Sequence, residues 1–118
     1  MSGRAPERVL ANFRPRPSDL EATIRRLAID PDNVRWRSQA YETHAEKRQG
    51  ERDIFDDMMF DVLRTGYLAG DIEPGSRPGE WKAKMCKAMR GRREIGVITI
   101  VINMQKLFVK TVEWEDLR

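Results

Sequence analysis

Residues 95–102 read IGVITIVI, an almost unbroken β-branched run. Such a run predicts a central strand covered on both faces. Upstream, Trp81, Ala83, Met85, Lys87 and Met89 alternate with Lys82, Lys84, Cys86 and Ala88. That period of two predicts a neighbouring strand with a basic outer face. Downstream, Asn103 to Lys106 form a short turn, and Leu107 to Trp114 a last strand, antiparallel because the connection is short. Leu68 to Ile72 complete a sheet of about four strands, with a Pro- and Gly-rich loop at 74–79 before the basic strand.

Ahead of these strands the period is helical. Ser18 or Asp19 is the expected cap of a short helix bearing Leu20, Ile24, Leu27 and Ala28 on one face, stopped by Pro31. Asn33 to Arg37 is a brief strand candidate. Ser38 is the expected cap of a second helix running to about Gly50. The segment DDMMFDVLRTG (56–66) reads as a third, with Asp56 and Asp57 at its positive end, a Met58, Met59, Val62 and Leu63 stripe for the core, and Gly66 as its stop. Helices first and strands afterwards predict an α+β domain, the helices packed on one face of a small, mostly antiparallel sheet. The expected division is a flexible arm over residues 1–18, a short helical extension over 19–33 and the α+β domain over 34–118.

The chain has 118 residues, 35% of them charged and 40% hydrophobic, with a formal net charge of +3. The basic excess concentrates between Arg77 and Arg93, where Glu80 is the one acid. This is either an electrostatic footprint for an anionic partner or a face neutralised by acidic helices. Cys86 is the single cysteine, which excludes an intramolecular disulfide and suits a reducing, cytoplasmic setting. With one His and one Cys no metal site is expected, and no cofactor motif occurs. No apolar run approaches the roughly 20 residues of a membrane span. The N-terminal arginines are not followed by the apolar stretch of a secretory signal.

Residues 43–52 read THAEKRQGER and contain the only histidine. On a helix, His44, Arg48 and Arg52 fall in one slowly drifting stripe, with Tyr41 and Ala45 beside it facing inward. Guanidinium groups fork onto phosphate oxygens, and an imidazole moves protons near neutrality. The ordinary alternative is a solvated face, with Arg48 paired to Glu51, Arg52 paired to Asp56 and His44 bonded to a carbonyl at the sheet edge.

The stretch HAEKRQGERDI resembles the signature of a bacterial family named domain of unknown function 4258, with His44, Ala45, Arg48, Arg52 and Ile54 in the matching places. DDMMFDVLRTG, WKAKM, RGRREIGVITIVI and LFVKTVEWED extend the resemblance over about residues 34–118. Asp53 stands where that family has Gly, a position Asp tolerates if φ is positive, and Phe55 where a capping Ser or Thr is expected. The resemblance implies a fold similar to RelE-type toxins and to barnase-like and colicin-like ribonucleases.

Two functions follow as expectations. The first is a metal-independent endoribonuclease, the toxin of a toxin–antitoxin pair. His44 and Glu113 would transfer protons, Arg48 and Arg52 would hold the phosphate, and Lys82, Lys84, Arg92, Arg93 and Trp81 would bind RNA. The second is a non-catalytic module binding nucleic acid or protein, in which exposed Trp81 stacks on bases. For Trp81, Trp36 and Trp114 the alternative is packing in the core or at the sheet edge.

Overall fold

The computed structural model describes residues 14–89 and 93–115. They form three helices on one side of a five-stranded mixed sheet. The helices are α1 (Pro17–Leu27), α2 (His44–Arg52) and α3 (Asp56–Thr65). The strands are β1 (Val34–Arg35), β2 (Tyr67–Pro74), β3 (Glu80–Met89), β4 (Arg93–Ile102) and β5 (Lys106–Trp114), in spatial order β1-β5-β4-β3-β2. The expected four strands are therefore five. The fifth, β1, falls within the brief strand candidate over Asn33 to Arg37 and runs parallel to β5 through Val34↔Leu107 and Arg35↔Phe108, while the other pairs are antiparallel. No helix among the described residues is long and apolar enough to cross a membrane.

Most of the expected N-terminal arm lies outside the described residues. α1 begins at Pro17, ahead of the expected Ser18 or Asp19 cap, because a ring-fixed φ suits the first helical turn, where no N–H partner is needed. It buries Leu20, Ile24 and Leu27. Its polar flank closes the outer edge of β2: Glu21 accepts the Leu68 N–H at 2.8 Å, and Arg25 donates to the Gly66 carbonyl at 2.6 Å. An open strand edge is a template for unwanted pairing, and these bonds blunt it. α3 contributes Met59, Phe60, Val62 and Leu63 to the same core. Lys87 of β3 reaches up from the sheet to Asp61 of α3 at 2.8 Å.

The second helix starts later than Ser38. Thr43 caps it, its hydroxyl accepting from the Glu46 N–H at 3.1 Å while Glu46 returns a bond to the Thr43 N–H at 3.1 Å. This reciprocal cap is worth ~1 kcal/mol and outcompetes the Ser38 start. Ser38 instead accepts from the Ala40 N–H within the preceding loop, and Tyr41, expected to face inward, is 68% exposed. At the other end Asp53 adopts φ 54° and ψ 44°, a left-handed cap that Asp tolerates better than most residues.

The core lies on the helix side. Ile95, Val97 and Val101 of β4, Ala83 and Met85 of β3, and Leu107, Val109 and Val112 of β5 all point into it. β4 is central, as its sequence predicts, but among the described residues only one of its faces is covered. Ile98 and Ile102 are half-buried, and Ile100 is 9% exposed, shielded by neighbouring strands rather than by a second layer. The second face of the sheet carries no helix among the described residues.

Candidate anion-binding face

Register defines what that uncovered face presents. One row crosses four strands as Arg35, Phe108, Ile100 and Lys82, ending at Glu73 on β2. A β-bulge in β5 adds Lys110: Ile98 pairs with Thr111 and Thr99 with Val109, leaving Lys110 as the extra residue. The bulge brings Lys110 beside Phe108 in a shallow cleft of about 390 Å³, whose other walls include Arg77, Lys82, Ile100 and Ile102. Glu80 also lines it, its carboxylate accepting from the Ser76 hydroxyl at 3.3 Å.

Arg77, Lys82 and Lys110 of this cleft, and Arg35 opposite Phe108 on β1, have no ion pair among the described residues. Ion pairs among the described residues occupy Arg25, Arg37, Arg48, Lys84 and Lys87, but none involves Arg35, Arg77, Lys82 or Lys110. Lys84 lies on the same face and is held by Glu115 at 2.5 Å, a bond that pushes its ammonium pKa up. The 77–93 stretch thus divides. Arg77 and Lys82 are open to an anion, Lys84 and Lys87 are neutralised, and Arg92 lies outside the described residues.

His44 is the first residue of α2, exposed and without a hydrogen bond or ion pair among the described residues. Thr43 donates to the carbonyl of Trp36, just beyond β1, and Arg52 donates to the Val112 carbonyl at 2.8 Å. α2 therefore runs parallel to β5, with His44 near the level of the Lys110 bulge. Ala45 and Gln49 point inward, and Glu46 and Asp53 line a groove against the start of α3. The helical period then puts His44 and Arg48 on the opposite flank, away from α3 and nearer the uncovered face.

Of the predicted stripe, His44 and Arg48 share a flank, while Arg52 is turned to the β5 edge and the covered-side cavity. Arg48 pairs with Glu51 at 2.6 Å, as an ordinary helix surface would have it. Arg52 takes the edge carbonyl that His44 was expected to find, and is not paired with Asp56, whose carboxylate receives Trp36, Arg37 and Gln49. Arg52 meets Arg93 at the far end of α2, on the covered side. They line a cavity of about 270 Å³ with Asp53, Phe55, Met58 and Trp114. Arg93 stacks 4.1 Å from the Trp114 ring centroid, and the Trp114 indole donates to the Arg52 carbonyl at 2.8 Å.

Trp81 is not the exposed stacking platform expected. It is half-buried on the helix side of β3, packed on the core, with the Arg14 guanidinium 5.5 Å from its ring. Trp36 packs edge-on against Phe60 at 5.0 Å. Beside Lys82 and Lys110 on the uncovered face the aromatic ring is Phe108, which sequence reading missed together with Arg35 and Lys110. Alternation of Val34 with Arg35 was visible, but nothing local announces a parallel pairing with β5 or the bulge that displays Lys110.

Glu113 stands on the uncovered face opposite Gly96, in a row continued by Cys86 and Tyr67. This end is acidic. Glu94 receives the Tyr67 hydroxyl at 2.5 Å, and that bond pushes the phenol up to about 12. Desolvation raises the buried Cys86 thiol to about 11, which leaves it an unreactive neutral group. Because Tyr67 holds its proton more tightly when folded, its contribution to stability is present below pH 10 and lost as pH rises towards 12. Alkaline titration of tyrosinate absorbance should show Tyr67 ionising near 12 in the folded chain, and returning towards the ordinary value in Glu94→Gln. A normal Tyr67 titration in the parent chain would refute this bond.

No protein family, curated protein or solved structure matches the chain in comparisons with each.

Proposed function

We propose that the protein binds single-stranded RNA on the uncovered sheet face, through its cationic end. The observation that carries this reading is the set Arg35, Arg77, Lys82 and Lys110, without ion-pair partners among the described residues and gathered around Phe108 and Ile100. Solvated cations release counterions when phosphates replace them, and an aromatic ring on an apolar floor offers a base a stacking partner. A sheet face is wide and shallow, which suits splayed bases better than a small compact ligand.

A second reading, RNA cleavage, is favoured by the exposed imidazole of His44, unbonded among the described residues, on the flank near this face. In that chemistry a ribose 2′-hydroxyl loses its proton to a base and attacks the adjacent phosphorus. The 5′-oxygen leaves with a proton from an acid, and a 2′,3′-cyclic phosphate remains. His44 would serve one role and a water molecule the other, with Lys82 and Lys110 opposing the charge that develops. Glu113 stands four residues along the strands from the Lys82–Ile100 row, about 13 Å away, and is not brought to the same phosphate. Arg48 and Arg52 would act less directly, since Glu51 and the Val112 carbonyl already hold them.

Fluorescence anisotropy with a labelled oligoribonucleotide tests binding, and gel analysis in EDTA tests cleavage. Micromolar or tighter binding that weakens steeply with salt is expected. If cleavage also operates, His44→Ala should remove most of it while leaving RNA affinity nearly unchanged. Intact RNA with unaltered binding would leave a binding module alone. Failure to bind RNA at low ionic strength would overturn the proposal.

A further inference from the structure

One carboxylate stands among the cations of the cleft and is not neutralised by them. Glu80 is half-buried and lines the cleft with Arg77, Lys82 and Lys110, yet no ion pair involves it among the described residues. The hairpin between β2 and β3 is shaped around this group. Ser76 donates its hydroxyl to Glu80 Oε1 at 3.3 Å, and the Gly75 N–H donates to the Glu80 carbonyl at 2.7 Å. A Cβ on Gly75 would lie 2.5 Å from the Glu80 Cβ and 2.9 Å from Oε1, so the carboxylate has room because residue 75 has no side chain. An ionised carboxylate only accepts hydrogen bonds, and it repels phosphate. In a cleft that binds RNA, its partners are therefore N–H groups on a base.

We propose that Glu80 makes this cleft a reader of guanine, an inference that rests on the RNA reading of the same face. Register sets Ile102 directly opposite Glu80, and Phe108 opposite Ile100. A base held against Phe108 over Ile100 and Ile102 thus turns one edge to β3, one strand spacing or about 4.8 Å away. The cleft, at about 390 Å³, lies within the size range of small-ligand pockets and has room for a base.

Guanine alone among the four RNA bases carries two neighbouring donors on its Watson–Crick edge, N1–H and the N2 amino group. They match the two oxygens of a carboxylate, and an unstacked base in a single strand leaves that edge open to a side chain. Its O6 and N7 acceptors suit a guanidinium, which Arg77 supplies from the hairpin. Adenine fits neither partner, since it would turn the N1 acceptor to Glu80 and the N6 amino group to Arg77. Uracil and cytosine each offer one donor on this edge. Arg35, Lys82 and Lys110 remain for the phosphates.

Fluorescence anisotropy of the full chain with short oligouridylates carrying one central guanine, adenine, cytosine or hypoxanthine tests this. The guanine strand should bind at least about tenfold more tightly than the adenine and all-uridine strands. Hypoxanthine, which is guanine without the N2 amino group, should forfeit much of that preference in the parent chain. Glu80→Gln should remove most of it, while affinity for the all-uridine strand holds or rises as a negative charge leaves the cleft. Circular dichroism confirms that the variant folds. Equal affinity for every strand, or a preference that Glu80→Gln keeps in full, would overturn the proposal and leave the RNA reading standing. Guanosine 5′-monophosphate bound in preference to the adenosine nucleotide, without affinity for any oligonucleotide, would do the reverse and assign the cleft to a free nucleotide. Binding of neither nucleotides nor oligonucleotides would overturn both.

Discussion

A chain carrying Lys82→Glu and Lys110→Glu should bind single-stranded RNA roughly 100-fold more weakly than the parent at moderate ionic strength. Neither ammonium group has a carboxylate partner among the described residues, so each is available to a phosphate at no cost of breaking an ion pair. The slope of log affinity against log salt should become shallower by about two, one for each phosphate that the protein no longer neutralises. Lys87→Gln provides the contrast. Its ammonium is tied to Asp61 on the covered side, so RNA affinity should change little. Equal losses in the two variants would mean that net charge alone, and not the uncovered face, governs binding.

Gly66→Ala should destabilise the fold by about 2–4 kcal/mol, a melting temperature lower by roughly 10–20 °C. A Cβ on Gly66 would lie 2.5 Å from the carbonyl oxygens of both Cys86 and Val62, which are backbone atoms with little room to retreat. The strand β3 passes so close to the end of α3 that only a hydrogen fits there. Gly66 has φ −78° and ψ −172°, so its role is this close approach and not the left-handed helix stop its position suggested. Gly50 offers the opposite case. It sits within α2, where a methyl group in place of its hydrogen would meet nothing inside 4 Å, and Gly50→Ala should stabilise by about 0.5–1 kcal/mol. Thermal and urea melts of the two variants check both signs.

The parts of the fold legible in the sequence were those set by local period. Met59, Val62 and Leu63 place α3, and the alternation of Ala83 and Met85 with Lys82 and Lys84 gives β3 its two faces. What escaped depends on partners distant in the chain. The strand candidate over Asn33 to Arg37 forms as the two residues of β1, but its parallel pairing with β5 had no local sign. The bulge at Lys110 arises from the register of β5 against β4, and no residue at that point advertises it. β4 reads as buried on both faces because side chains half-shielded by adjacent strands can be as apolar as those under a helix layer.

The candidate site followed the same division. His44 and Arg48 were legible as a helical stripe, and their common flank follows from period alone. Arg52 and Arg93 were also singled out, but their engagement with Val112 and Trp114 reflects tertiary packing. Phe108 and Arg35 belong to the face only through a parallel pairing that spacing cannot predict.

RNA binding at the cationic end of the uncovered sheet face is the claim on which the functional reading stands. Amide chemical-shift mapping during titration with a short single-stranded oligoribonucleotide reads that location directly. The largest perturbations should fall on Arg35, Lys82, Ile100, Phe108 and Lys110, with weaker ones at His44. Perturbations confined to the Arg52, Arg93 and Trp114 cavity on the covered side would contradict it.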